Sequence, residues 1–465
     1  MKRTIWILLT VLLVAALAAT FAACDLVDKV LQKAEQIVED MEKEAEKAEQ
    51  EENGGQTDAS DPTDGTGTNA QNGGQSGRTE DKTDVEAKTG DVVLEEGDLS
   101  FHFLTLGNNR TGDSTYIKIG DVDILIDAGS RQNSAATIIE YVNRYCTDGK
   151  LEYVIATHAH QDHLTGFYGL KGKDGNYAGV LHAFDVGTII EFARTNATSG
   201  VYTNYCAARD YAVSKGAKAY TALECWNNQK GAQRSYTLAE GVTMDVLYQD
   251  YYEKDSSDEN NYSVCVMFNY GDSHYLFTGD LEKEGESSLV EKNELPHCKL
   301  FKGGHHGSYT ANTAKLMQAI QPDVVCVCCC CGSKEYTSVN ENTFPSQAFF
   351  DRVLPYTDQI FATTLTEFVP SEDDDDEFDE VAKDMNGNIV VVTDGATLSV
   401  NCSGNATPVP YTEWFASNRT WPEGVRALYD KPVEGQNEQS PPAEGEQQPA
   451  EGDGQEPQAG GGGEA

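Results

Sequence analysis

Positive charge is in short supply in this sequence. Its 465 residues carry 34 Lys and Arg against 76 Asp and Glu, a formal net charge of −42. The imbalance is not confined to the ends: residues 99–430 alone hold 24 basic and 46 acidic side chains, a net −22. Such a surface repels polyanions at long range, so bulk electrostatics argues against nucleic acid as a partner unless bound metal ions invert the field locally. The acidity reads first as solubility outside the cell. A disulfide scaffold is also lacking. Apart from Cys24, eleven cysteines remain, an odd number with no framework spacing. The run 325–332, Val-Cys-Val-Cys-Cys-Cys-Cys-Gly, reads as a buried strand that uses cysteine as a small apolar residue. A soft-metal or redox site is disfavoured there, because strand neighbours point to opposite faces and cannot all converge on one ion. Histidine is scarce too, nine in the whole chain, which makes any cluster of it conspicuous.

The N-terminus opens with Lys2 and Arg3, continues apolar from Ile5 to Phe21 with only Thr10 and Thr20 interrupting, and reaches Ala22-Ala23-Cys24. That is the layout of an export signal. The last residues resemble the lipobox of bacterial lipoproteins, with Phe21 where leucine is usual. The resemblance implies acylation of Cys24 and an exported lipoprotein on the outer face of the cytoplasmic membrane. Residues 1–23 are then the signal peptide. Residues 24–52 form an amphipathic helical stalk, with Val27, Val30, Leu31, Ala34, Ile37, Val38 and Met41 at helical spacing. Residues 53–98 are a flexible linker, poor in large apolar side chains over most of its length. The Pro, Glu, Gln and Gly tail at 431–465 cannot bury a core and is expected to be disordered.

Residues 99–430 have a mixed pattern. Strand-like runs fall at 99–106, 115–119, 122–126, 153–156, 263–269, 274–277, 324–330 and 388–392, and helix-like runs at 135–146, 204–215, 313–320 and 345–353. Hairpin pairs come first and alternation with helices follows, which predicts a layered α/β domain with a mixed sheet or two sheets. The run 372–377, Glu-Asp-Asp-Asp-Asp-Glu, reads as a solvated insertion rather than a calcium loop.

The decisive segment is Tyr153-Val-Ile-Ala-Thr-His158-Ala-His160-Gln-Asp162-His163. A β-branched strand runs into a turn that holds a third of the chain's histidines within six residues. Imidazole and carboxylate together suit zinc, iron and manganese. His182 and His274, by contrast, stand alone and read as structural.

The motif resembles the H-x-H-x-D-H signature of the metallo-β-lactamase superfamily. Ile124-Leu125-Ile126-Asp127-Ala128-Gly129 resembles that family's first motif, whose aspartate supports the metal loop. Tyr275-Leu276-Phe277-Thr278-Gly279-Asp280 resembles the motif of the bridging aspartate, and Lys302-Gly-Gly-His305-His306-Gly307-Ser308 the one that supplies the final histidine. These last two, with Gly112-Asp113-Ser114, Asn261-Tyr262-Ser263 and Thr393-Asp394-Gly395, are similar to the β-lactamase-like domain of ComEC-type DNA-uptake proteins. Four departures stand out. No Gly-His-Thr-Pro-Gly histidine lies between His163 and Asp280, Phe344-Pro345-Ser346 replaces His-Pro-Ser, and Thr105-Leu106 replaces Asp-Val. The many-helix channel of the uptake protein has no counterpart.

The resemblance implies an αββα metallo-β-lactamase sandwich and two divalent metal ions, zinc first, with manganese or iron as alternatives. His158 and His160 would hold one ion, Asp162, His163 and His306 the other, with Asp280 shared. Asp162, Asp280 and His305 are the candidates for catalytic roles, His305 as hydrogen-bond donor or general acid. Lys302 and Ser308 are candidate substrate contacts, Lys302 being equally readable as a surface lysine. The expected reaction is hydrolysis of a phosphodiester, DNA among the candidates, by a hydroxide bridging the two ions. Alternatives are a cell-envelope phosphodiester, a lactone or a β-lactam on the same site, or a non-catalytic binding module. No protein partner is predictable.

Overall fold

The computed structural model describes residues 85–173, 177–371 and 378–429. The signal, Cys24, the stalk, most of the linker, the acidic run and the C-terminal tail lie outside the described residues. Among the described residues the strands are β1 (Glu86–Thr89), β2 (Leu99–Phe103), β3 (Thr115–Ile119), β4 (Val122–Ile126), β5 (Lys150–Ala156), β6 (Asp185–Glu191), β7 (Lys218–Thr221), β8 (Ser235–Ala239), β9 (Val242–Val246), β10 (Val266–Tyr270), β11 (Ser273–Phe277), β12 (Leu300–Lys302), β13 (Val324–Cys331), β14 (Ile360–Pro370), β15 (Phe378–Asp384), β16 (Ile389–Thr393) and β17 (Leu398–Cys402). The α-helices are α1 (Ser134–Val142), α2 (Gln161–Tyr168), α3 (Val180–Ala183), α4 (Gly200–Ser214), α5 (Ala222–Trp226), α6 (Lys283–Lys292), α7 (Ala314–Ile320), α8 (Gln347–Val353) and α9 (Glu413–Asn418). None of them is long and apolar enough to cross a membrane.

Two mixed sheets result. One runs β1-β17-β16-β2-β3-β4-β5-β6-β7 and the other β15-β14-β13-β12-β11-β10-β9-β8. Short turns at Gly120 and Gly271 close the β3–β4 and β10–β11 hairpins, both glycines with positive φ. β4 through β7 and β11 through β14 pair in parallel, so their connections cross over through helices and loops.

The sheets pack through aromatic side chains that alternate inward along their strands. Phe101 meets Phe268 edge-on at 5.6 Å, and Phe103 stacks on Phe277 at 6.0 Å. Ile138, Leu164 and Tyr205 of α1, α2 and α4 join the core that includes the first sheet. Leu316, Met317, Phe349 and Phe350 of α7 and α8 cover the second. The architecture is therefore an αββα sandwich, as the sequence implies.

β13 is buried along its whole length. Cys326 and Cys328 belong to the first core, Cys329 and Cys331 to the second. The eleven described cysteines are all free.

One domain boundary needs correction. Residues 86–89, assigned to the linker, form β1 and pair in parallel with β17, Glu86 opposite Ser399 and Thr89 opposite Cys402. The strand's side chains are mostly exposed. Backbone pairing to an open sheet edge holds it, and such pairing leaves no apolar pattern in sequence.

Candidate metal centre

Strand ends deliver the site. β4, β5, β11 and β12 all finish at one rim of the sandwich, and the turns after them carry Asp127, His158 to His163, Asp280 and His305-His306. The turn after β5 leads into α2, which packs so tightly on the turn after β4 that Gly166 is required. A Cβ at 166 would lie 2.1 Å from the Ala128 carbonyl oxygen, to which the Gly166 N–H donates at 2.7 Å.

Four side chains from three segments converge. Asp162, His163, Asp280 and His306 each offer a ligand atom, and these atoms lie within 4.8 Å of one another, all four residues buried. His163 Nε2 is 3.0 Å from Asp280 Oδ2, and His306 Nε2 is 3.2 Å from the same oxygen and 3.4 Å from Asp162 Oδ2. Beside them, His158 Nε2 stands 3.0 Å from His160 Nδ1, and the His158 ring lies 4.2 Å from that of His163. His158 is buried, and His160 is half-buried at the rim. The structure thus brings four of the six sequence-derived ligand positions within ligating distance of one another and sets His158 and His160 beside them.

The surrounding chain decides which atom of each ring faces inward. Asp127 accepts the Thr157 N–H at 2.8 Å and the Thr157 hydroxyl at 2.7 Å, and contacts His163 Nδ1 at 2.7 Å. It does so from a left-handed backbone conformation, φ 57°. Occupying that region with a non-glycine residue costs energy and is typical of functional sites. His306 Nδ1 donates to the Cys328 carbonyl at 2.9 Å, so Nε2 is the nitrogen turned toward the carboxylates. Carbonyl and carboxylate partners of this kind fix the tautomer and orientation of metal-binding imidazoles. His305 and His306 both have positive φ, 46° and 53°.

A divalent cation fits this donor set. His306 Nε2 is buried without a hydrogen-bond partner among the described residues, an expensive condition that a cation removes, and Asp280 Oδ1 has only the Lys302 ammonium at 3.5 Å. The ionisation directions agree. Burial alone would raise Asp280, but His163, His306 and Lys302 outweigh it and hold the carboxyl well below its ordinary range. Burial alone would lower His163 and His306, yet Asp280 with Asp127 in one case, and with Asp113 in the other, lifts each well above an ordinary imidazole. Charge of both signs is therefore packed in one buried pocket.

Lys302 needs correction. It is not a surface lysine: it is 3% exposed. Its ammonium pairs with Asp113, lies 3.5 Å from Asp280 Oδ1 and donates to the Gly279 carbonyl at 3.4 Å. β12 is buried at all three of its residues, which leaves the side chain no route to solvent. Burial alone would lower its pKa, but Asp113 and Asp280 outweigh that and raise it above an ordinary lysine. Ser308 is also buried, engaged with the Thr310 hydroxyl at 2.9 Å. His305 Nδ1 lies 3.2 Å from both Glu282 Oε1 and the Thr310 hydroxyl, and its ring is partly exposed. His182 stacks on Tyr211 at 4.5 Å, and His274 Nδ1 meets Asn269 Oδ1 at 2.7 Å. Tyr205 and Tyr252, between His163 and Asp280 in sequence, are buried in packing.

Two residues at the centre were not singled out in the sequence. Asp113 lies 3.3 Å from His306 Nδ1 and 3.8 Å from His163 Nδ1. Its signal was the Gly-Asp-Ser triplet, which the resemblance marked without giving it a role. Tyr336, on the loop after β13, donates its hydroxyl to Asp162 Oδ2 at 2.8 Å. Nothing in its local sequence announces this. Phe344 packs against Tyr336, His305 and His306 at 5.4, 5.9 and 5.7 Å.

Residues 107–186 match the model of the metallo-beta-lactamase superfamily. Over that segment the chain is similar to the superfamily. Two curated proteins similar to this chain are ComE operon protein 3 of Bacillus subtilis and competence protein ComA of Neisseria gonorrhoeae. The first is 37% identical over 70 residues, 15% of this chain and 9% of the relative. The second is 27% identical over 128 residues, 27% of this chain and 17% of the relative. The chain thus spans less than a fifth of either relative's length. Similar solved structures include the metallo-beta-lactamase fold protein YhfI from Bacillus subtilis, with 12% identity, a TM-score of 0.31 and coverage of 56% of this chain and 95% of that one. A metallo-beta-lactamase from Hirschia baltica shows 20% identity, a TM-score of 0.22 and coverage of 42% and 73%.

Proposed function

We propose that the chain is a metal-dependent phosphodiesterase, exported and held by a lipid on Cys24 at the outer face of the cytoplasmic membrane. The observation that carries the catalytic reading is the convergence of Asp162, His163, Asp280 and His306, with His306 Nε2 buried and unpartnered among the described residues. In this reading those four hold one divalent ion, zinc first, while His158 and His160 hold a second with Asp280 shared. Bound ions would supply Lewis acidity toward a phosphoryl oxygen and bring the ionisation of water to near neutral pH. The chain's own residues do the rest. Asp127 holds the His163 ring and the Cys328 carbonyl holds His306. Lys302 offsets Asp113 and Asp280 from beneath. His305 has Nδ1 engaged by Glu282 and Thr310 and in this reading offers Nε2 as hydrogen-bond donor to a leaving oxygen.

The choice of a phosphodiester follows the similarity to ComE operon protein 3 and competence protein ComA and the resemblance to DNA-uptake domains. Against a long polyanion stands the net charge of −22 on residues 99–430, which a cation-filled cleft offsets only locally.

Metal analysis with a bis(p-nitrophenyl) phosphate assay tests the catalytic part. Purified protein is expected to hold divalent metal and turn the diester over, and His160→Ala to lose about 100-fold or more of that rate, the scale of removing one preorganised electrostatic group. Metal-free protein without turnover points instead to a binding module. Release of envelope polymer without DNA cleavage would move the substrate, not the chemistry. The anchor is tested separately by labelled palmitate, whose incorporation is expected in the wild type and absent in Cys24→Ala. An unlabelled wild type removes the lipid from the proposal.

A further inference from the structure

The loop from Gly332 to Phe344 spans the rim between the two sheets. Glu335, whose carboxylate is nearly buried, accepts the Thr111 N–H at 3.0 Å and pairs with Arg131 at 2.7 Å and Arg110 at 3.9 Å. The Thr111 hydroxyl in turn accepts the Cys330 N–H at 3.2 Å, tying the end of β13 to the same point. Two residues on, the Asp113 N–H donates to the Asp162 backbone carbonyl at 3.0 Å. Gly112 makes this approach sterically feasible, since a Cβ there would stand 2.8 Å from that carbonyl oxygen. Tyr336, adjacent to Glu335, closes the circuit with its hydroxyl on Asp162 Oδ2 at 2.8 Å.

Asp162 is thus gripped twice, at its backbone by residue 113 and at its side chain by residue 336. Both grips are anchored at Thr111. Phe344, the ring beside Tyr336 on this wall, has no polar atom to offer. We propose that Tyr336 is the positioning residue for Asp162, selecting which carboxylate oxygen is presented to the metal, and that Glu335 with Arg131 is the anchor that keeps Tyr336 in place. The physical reason is that a carboxylate with both oxygens free rotates between ligating modes. A hydroxyl fixed on one oxygen ends that freedom, and losing such an outer partner typically costs 10- to 100-fold in metal affinity.

This inference rests on the proposed metal-dependent site, and the test separates the two. Full-length wild type, Tyr336→Phe and Glu335→Gln are titrated with cobalt(II), followed by visible absorption and by competition with a chelator. Tyr336→Phe keeps the ring and loses only the hydroxyl. It is expected to bind one cobalt about 10- to 100-fold more weakly, with an altered absorption band. Glu335→Gln, which retains acceptor capacity but not charge, should move both readouts the same way by less. A Tyr336→Phe protein with wild-type affinity and spectrum overturns this role alone. A wild type that takes up no cobalt overturns the metal-dependent reading along with it.

Discussion

Replacing Lys302 with methionine is expected to destabilise the metal-free protein by about 3–5 kcal/mol, the scale of breaking a buried ion pair by removing one partner. Methionine keeps the aliphatic stem and removes the charge. Asp113 and Asp280 would then share a buried pocket with less positive charge to answer them. His163 and His306 remain nearby, which favours the lower end of that range. Saturating divalent metal should recover part of the loss, because a cation bound only to the folded state stabilises it by mass action and faces the same carboxylates. Denaturant unfolding with and without metal measures both. A loss below about 1 kcal/mol in metal-free protein, the scale of an exposed pair, would show that Lys302 is not the counter-charge the structure makes it.

Metal affinity should rise steeply with pH. In the metal-free protein His163 and His306 keep their protons well above the ordinary imidazole range, and a protonated ring nitrogen has no lone pair to give. Each proton displaced on binding makes the affinity tenfold stronger per pH unit. With two such histidines, the apparent affinity is expected to climb by up to about 100-fold per unit from pH 6.5 upward. It levels off once both raised values are passed. Stability of the metal-free fold runs the other way. Because both folded-state values lie above the unfolded value near 6.5, this contribution is complete below that pH. It is lost as pH rises through the raised values. Chelator-competed zinc titrations across pH, with thermal melts of metal-free protein in the same buffers, measure the two slopes. A pH-independent affinity between 6 and 8 would mean that these rings are already neutral.

What sequence could show of this site depended on whether its chemistry was local. The turn at 158–163 packs its signal into six residues, and the strands at 115–119 and 122–126 carry enough branched and aromatic residues to declare their bounds. Asp280 and His306 were reachable because they sit in short motifs at strand ends. The carboxylate on Lys302 and the hydroxyl on Asp162 were not. They come from residues 189 and 174 positions away in the chain, and nothing in a run of residues encodes a contact of that separation. Burial hid Lys302 in the same way, since a lysine between Phe301 and a pair of glycines looks like any surface lysine until its strand is placed inside a sheet. The parallel strands β6 and β7 went unread because Asp185-Val-Gly-Thr and Lys218-Ala-Tyr-Thr lack sustained alternation. They are defined by the neighbours they pair with.

The thiol-rich strand β13 has a bearing on how this molecule ages. Ten of its eleven described cysteines are shielded by packing, with Cys206 partly open, and a thiol kept from solvent is kept from oxidants as well. Any excursion that lifts β13 from its neighbours would present five adjacent or nearly adjacent sulfurs at once. In an oxidising setting each such opening would expose thiols that can be trapped as wrong bridges. Survival would then be governed by how rarely the second sheet opens, and damage once done would not be undone by cooling.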